Sequence, residues 1–213
     1  HPPFTTDPYS FSKQITEEIA AYYWRREGIS GCCLRMPWVY QMNDDLARQL
    51  QQWLRQAHCL YRQIHDLPPA ERRNWLEAAM QRFNRRRAMR LQELTPQGLP
   101  PELPVDPDDP FILMVYGYSD FWAILSLEDA AEAYLRALLA DYEGSHPLFI
   151  TEGNNLLGIE AESLAAMFYP QVTRRTRPMP GLSSLISYDR ASDLIGYEPK
   201  SNFHQLQENK LGD

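Results

Sequence analysis

Lysine is scarce in this chain of 213 residues: Lys13, Lys200 and Lys210 are the only ones, and arginine supplies the rest of the 21 cationic side chains. Against 28 carboxylates this leaves a net charge of −7, which argues against nucleic acid as the main ligand. Three cysteines, two of them the neighbours Cys32 and Cys33, make no disulfide framework. Adjacent strand residues point to opposite faces, so that pair reads as two small buried side chains in a reducing compartment, and a cytoplasmic protein is expected. No stretch approaches the ~18–20 apolar residues of a membrane span, so no membrane partner is expected. The chain opens on His1 without a visible secretory leader, and a preceding segment is expected to have been cut away. No Gly-x-x-Gly-x-x-Gly stretch occurs. "GNNLLG" at 153–158 has two glycines, but Ile159-Glu160 follows where a phosphate-binding loop needs Lys and Ser or Thr.

What is present suits a globular protein of one or two domains with a real core. Asp7-Pro8 predicts a helix start, Asp as N-cap and Pro in the first turn, and Ile15, Ile19, Tyr22 and Tyr23 mark an apolar face down to Gly28. "GCCLRMPWVY", ended by Pro37, suits a buried parallel strand, and helix, Gly turn and strand together make half of a βαβ unit. Leu46, Leu50, Trp53, Ala57, Leu60 and Ile64 recur at spacings of four and three, which predicts an amphipathic helix capped by Asn43 or Asp44. A second helix after Pro68-Pro69 runs to about Leu94, with Leu76, Met80 and Phe83 on one face. "TPQGLPPELPVDPDDP" holds too many prolines for a helix or a central strand. Residues 41–95 thus read as a helical-hairpin insertion and 96–110 as an extended connector. "FILMVY", "FWAILS" and "PLFIT" then predict strands, and "LEDAAEAYLRALLADY", "GIEAESLAAMFYP" and "YDRASDLIGY" predict helices, the first opened by Ser126 and Asp129 as a capping box. The expected fold class is α/β.

Tyr9 and Lys13 stand four apart at the mouth of the first helix. At ~1.5 Å per residue they are about 6 Å apart along the axis and ~40° apart around it, on a face distinct from the Ile15–Ile19 stripe. A phenol that serves as a base near neutral pH needs its pKa brought down from ~10, and a neighbouring ammonium does this by favouring the phenolate. By itself the spacing fits equally a surface Tyr beside a solvated Lys.

The surroundings of the pair carry more. "DPYSFSKQITEEIAAYYWRREGISGCCLRMPWVY" resembles the Tyr-x-x-x-Lys helix and following strand of the extended short-chain dehydrogenase/reductases, the NAD-dependent epimerase/dehydratases. The Tyr-Ser-x-Ser-Lys core, Glu17-Glu18 and the closing Leu-Arg-x-x-x-Val-Tyr all fit. "FWAILSLEDAAEAYLRALL", with Asp129 at its characteristic place, and "SLISYDRASDLIGYEPKSNF" resemble the C-terminal part of that family. The likeness covers roughly 1–40 and 111–203. It implies the C-terminal portion of a Rossmann-like parallel sheet over 1–40 and a small α/β substrate region over 111–213, with the helical insertion and connector over 41–110 between them. Tyr9 would be the general acid/base during hydride transfer, and Lys13 would assist it and hold the nicotinamide ribose of NAD or NADP. Pro37 and Val39 would border the nicotinamide end, at the carboxyl ends of strands where open α/β sheets bind ligands. The implied substrate is a small molecule, a sugar or another carbonyl or hydroxyl compound, and the implied assembly is a homodimer.

The family's glycine-rich phosphate turn and its upstream Ser or Thr have no counterpart here, and the insertion does not follow the family pattern. Arg174, Arg175 and Arg177 fall in a loop of the substrate region, where an Arg could hold a diphosphate by paired hydrogen bonds or simply carry surface charge. Trp122, a candidate substrate residue with Trp38 and Arg174, stands where sugar-nucleotide members often have Arg, which argues against a sugar nucleotide as the substrate. Trp38 suits either a site wall or a core aromatic. The Arg-rich second insertion helix reads as a solvated face or as a surface for an acidic partner. The rival to an oxidoreductase is therefore a non-catalytic interaction protein of the same descent, with the insertion as its binding surface.

Overall fold

A helix whose polar side must meet a sheet needs something to neutralise it, and the first helix has it. α1 (Pro8–Glu27) ends at Gly28, which takes a left-handed φ of 67° and donates its N–H to the Trp24 carbonyl. The chain then reverses into β1 (Gly31–Arg35), so α1 lies antiparallel to the strand it precedes and packs on β1 and β4 (Ser145–Phe149). The contact is locked by Arg35, whose Nε and Nη2 donate to the two carboxylate oxygens of Glu17, both at 2.7 Å. The side of α1 turned to the sheet carries Gln14, Glu17, Ala21 and Trp24, and no residue of the helix is fully buried. The Phe11, Ile15, Ile19 and Tyr22 stripe points the other way, Ile15 39% and Ile19 50% exposed.

The structure, a computed structural model, describes residues 8–90, 106–175 and 177–206. It is a mixed α/β chain with short parallel strands. β1 pairs in parallel with β4, Gly31 opposite Ser145 and Arg35 opposite Phe149. After Met36-Pro37 the chain enters β2 (Trp38–Tyr40), which pairs in parallel with β3 (Ile124–Ser126). The single strand expected over "GCCLRMPWVY" is therefore two, with different partners. Pro37, which has no N–H to give, sits at the break.

α2 (Asp44–His65) is capped by Asn43, whose Oδ1 accepts the Leu46 N–H at 2.9 Å. It buries Ala47, Leu54, Ala57, Leu60, Tyr61 and Ile64. α3 (Pro69–Arg90) turns back after Leu67-Pro68 and buries Ala79 and Phe83. All of these apolar side chains but Ala47 join Phe111, Leu113, Met114, Trp122, Leu157, Leu164 and Phe168 in one hydrophobic cluster, so the insertion shares its core with the C-terminal region. The predicted cap Asp7, the expected helix end near Leu94 and most of the Pro-rich connector lie outside the described residues.

"FILMVY" is not a strand. Asp109 accepts the Phe111 N–H at 2.9 Å, and the chain winds into the single turn α4 (Ile112–Val115), then a 3₁₀ turn at Tyr118–Asp120. Phe121 and Trp122 both adopt left-handed φ, 59° and 52°, which shortens the strand expected over "FWAILS" to β3. Ser126 Oγ then caps α5 (Leu127–Leu139) by accepting the Asp129 N–H at 3.0 Å. Asp129 does not reach back to close a capping box. Its two oxygens accept the N–H groups of Lys200 (3.0 Å) and Ser201 (2.9 Å), tying α5 to the chain end. α6 (Ala161–Phe168) and α7 (Asp189–Ile195) follow, the latter stopped by left-handed Gly196, and residues 203–206 are again helical. Among the described residues, no helix is long and apolar enough to cross a membrane.

Candidate functional site

The Glu17–Arg35 pair sets the level of α1 against β1. Arg35 is the last residue of β1, so Glu17 sits at the strand's carboxyl end, and the part of α1 before Glu17 runs past it. At ~1.5 Å per residue, Lys13 lies about 6 Å and Tyr9 about 12 Å further along the helix axis. Both side chains share one side of the helix: Lys13 Nζ stands 5.0 Å from the centre of the Tyr9 ring, within cation–π reach. Tyr9 is 70% exposed, and its hydroxyl has no hydrogen-bond partner among the described residues. The Ser12 hydroxyl does not compete for it, since Ser12 Oγ donates to the Tyr9 carbonyl at 2.7 Å.

The other expected residues sort by burial. Pro37 is half-buried at the break between β1 and β2, and Trp38 and Val39 follow it on an exposed strand, Trp38 46% open. Trp38 is thus a surface aromatic rather than a core one. Trp122 is wholly buried, its Nε1–H donated to the Leu113 carbonyl at 3.0 Å and its ring against Phe168. A side chain in that position offers no atom to a ligand, which removes it from the substrate residues. Arg174 is exposed on the loop after α6.

Two features escape a reading of the sequence. Tyr40 donates to the fully buried Glu152 at 2.5 Å, and Glu152 also accepts the Phe203 N–H at 2.9 Å, which fixes β2, the segment after β4 and the chain end together. Burial raises the Glu152 carboxyl above its ordinary range despite these hydrogen bonds. The second is a cavity of about 190 Å³ beside α6, lined by Phe121, Tyr169, Val172, Arg174 and Met179 among others.

No family model, curated protein or solved structure matches this chain.

Proposed function

We propose that the chain is part of an NAD(P)-dependent oxidoreductase of the extended short-chain dehydrogenase/reductase kind, an epimerase/dehydratase-like enzyme on a Rossmann-like sheet. In this mechanism Tyr9 would exchange a proton with a substrate hydroxyl or carbonyl, and a bound nicotinamide would supply or accept the hydride. Lys13 favours the phenolate and holds the nicotinamide ribose. Pro37 and Val39 border the nicotinamide, and Trp38 and Arg174 meet the substrate.

The observation that carries the proposal is the level of Tyr9 and Lys13 beyond the carboxyl end of β1, on one side of α1. That end of a parallel sheet is where helix and loop termini leave room for ligands. The exposure of the pair fits residues that meet a cofactor rather than a core. The glycines that would cradle the pyrophosphate are absent from the sequence, so the dinucleotide needs a further polypeptide segment to complete its site. The proposal includes a homodimer, for which the outward apolar stripe of α1 is the natural seam.

Titration of NADH and NADPH into the polypeptide expressed from its own reading frame tests the cofactor. Binding that weakens about tenfold in Lys13→Gln, the worth of a lost charged hydrogen bond, is the expected result. No binding of either nucleotide by that polypeptide would refute the proposal.

A further inference from the structure

The cavity beside α6 has an apolar body and a cationic rim. Phe121, Tyr169, Val172 and Leu185 supply the body, with Met179 and Arg174 at the loop side. Phe121 is held there at a cost: it and Trp122 are consecutive non-glycine residues with positive φ. Backbone in that region persists only where its surroundings over-determine it, and it clusters at ligand sites. Here Trp122 is the anchor, its backbone N–H donated to the Gly117 carbonyl (2.9 Å) and its carbonyl accepting the Leu156 N–H (2.8 Å). With Trp122 pinned, the half-buried Phe121 ring packs at the edge of the core against Tyr169, centroids 5.0 Å apart. Tyr169 is itself fixed by stacking on Tyr118 at 4.8 Å and by donating its hydroxyl to the Tyr118 carbonyl at 2.6 Å. The wall is rigid and aromatic.

The rim is asymmetric in charge. Three arginines stand within four positions, at 174, 175 and 177. Arg175 is paired with Glu162 and donates to the Val172 carbonyl, and Arg177 is paired with Asp189. Arg174 has no ion pair or hydrogen bond among the described residues, so one positive charge at the mouth is left uncompensated in a chain of net charge −7. Beyond the arginines, the lining offers few polar groups, the Ser184 and Ser187 hydroxyls. A polyol would leave most of its hydroxyls unpaired there. The volume, below the usual range for whole drug-sized ligands, suits a single ring system or short chain.

We propose that this cavity binds a small amphiphilic anion, a compound with one aromatic or aliphatic body and one carboxylate or phosphate group, the body against Phe121 and Tyr169 and the anion on Arg174. The inference deepens the proposed function, in which Arg174 meets the substrate, but it concerns binding alone and its test does not depend on proton transfer at Tyr9.

Calorimetric titration of the full chain with 2-naphthoate, 2-naphthyl phosphate and the neutral 2-naphthamide tests it. Both acids are expected to bind about tenfold more tightly than the amide, as a charge-assisted contact would give. The better of the two acids identifies the anionic group. Arg174→Gln is expected to erase the advantage over the amide while leaving amide affinity as it was, and Arg174→Lys to restore part of it. Val172→Glu, at an exposed position of the same wall, is expected to abolish acid binding without unfolding the chain. Equal affinity for acids and amide, acid affinity unchanged in Arg174→Gln, or no binding of any probe at millimolar concentration would each overturn the proposal.

Discussion

The Tyr40 hydroxyl lies 2.5 Å from a Glu152 carboxylate oxygen, with both side chains out of reach of water. Tyr40→Phe leaves that oxygen buried without its donor, and a loss of about 1–3 kcal/mol in unfolding free energy is expected by urea denaturation. The pair also sets a pH dependence. Burial raises the folded-state carboxyl pKa, so the folded protein holds the proton longer than the unfolded chain does. The contribution is full below the unfolded value of ~4.3 and is lost as pH rises through the folded one. In Glu152→Gln the stability difference between mildly acidic and neutral pH is expected to shrink.

Asp120 is a carboxylate only partly compensated, since backbone hydrogen bonds from Trp122 and from Asp120 itself oppose the effect of burial. Its Oδ1 is buried and has no hydrogen-bond partner, and burial pushes its pKa up. The penalty falls on the ionised form, so it grows with pH. Asp120→Asn is expected to stabilise the protein by about 1 kcal/mol at neutral pH, with the gain vanishing as acid protonates the wild-type carboxyl. Denaturation midpoints across that range check the sign.

Two glycines with positive φ separate conformational from steric need. A Cβ on Gly28 would meet nothing within 4 Å, whereas on Gly117 it would overlap the Trp122 ring. Gly28→Ala is expected to cost about 1–2 kcal/mol, the left-handed penalty alone. Gly117→Ala adds displacement of the indole that anchors Phe121, and an additional loss of about 1–3 kcal/mol in thermal or urea unfolding is expected.

The outward stripe of α1 is nearly symmetric about residue 17, with Ile15 and Ile19 inside and Phe11 and Tyr23 outside. Two copies crossing antiparallel would set Ile15 against Ile19 and Phe11 against Tyr23, an isologous contact. Sedimentation is expected to show a dimer that Ile19→Glu converts to monomer with unchanged circular dichroism. A wild-type monomer at micromolar concentration would exclude this seam.

The helices were legible where one face had to be apolar. The period of α2 and the Ser126 cap of α5 follow from side-chain chemistry acting within a few residues. "FILMVY" was not, because a short apolar run has no period that separates strand from turn, and Asp109 decided for the turn. α1 defeated the rule that the apolar face points inward. Its inner face mixes polar Gln14 and Glu17 with Ala21 and Trp24, made tolerable by Arg35 on Glu17, a pairing eighteen residues apart that no local pattern announces. Of the candidate site, the Tyr9–Lys13 adjacency was readable from helical spacing. Their level beyond β1, the burial of Trp122 and the cavity at Arg174 depend on contacts between distant segments.

The central claim is that the Tyr9 phenol moves the proton that accompanies hydride transfer. The direct measurement is NADH and NADPH consumption, over a panel of aldehydes and ketones, by the polypeptide expressed from its own reading frame, with Tyr9→Phe alongside. The account predicts turnover that falls about 10²–10⁴-fold in Tyr9→Phe while nucleotide binding persists. A Tyr9→Phe variant that turns over at the wild-type rate would contradict it.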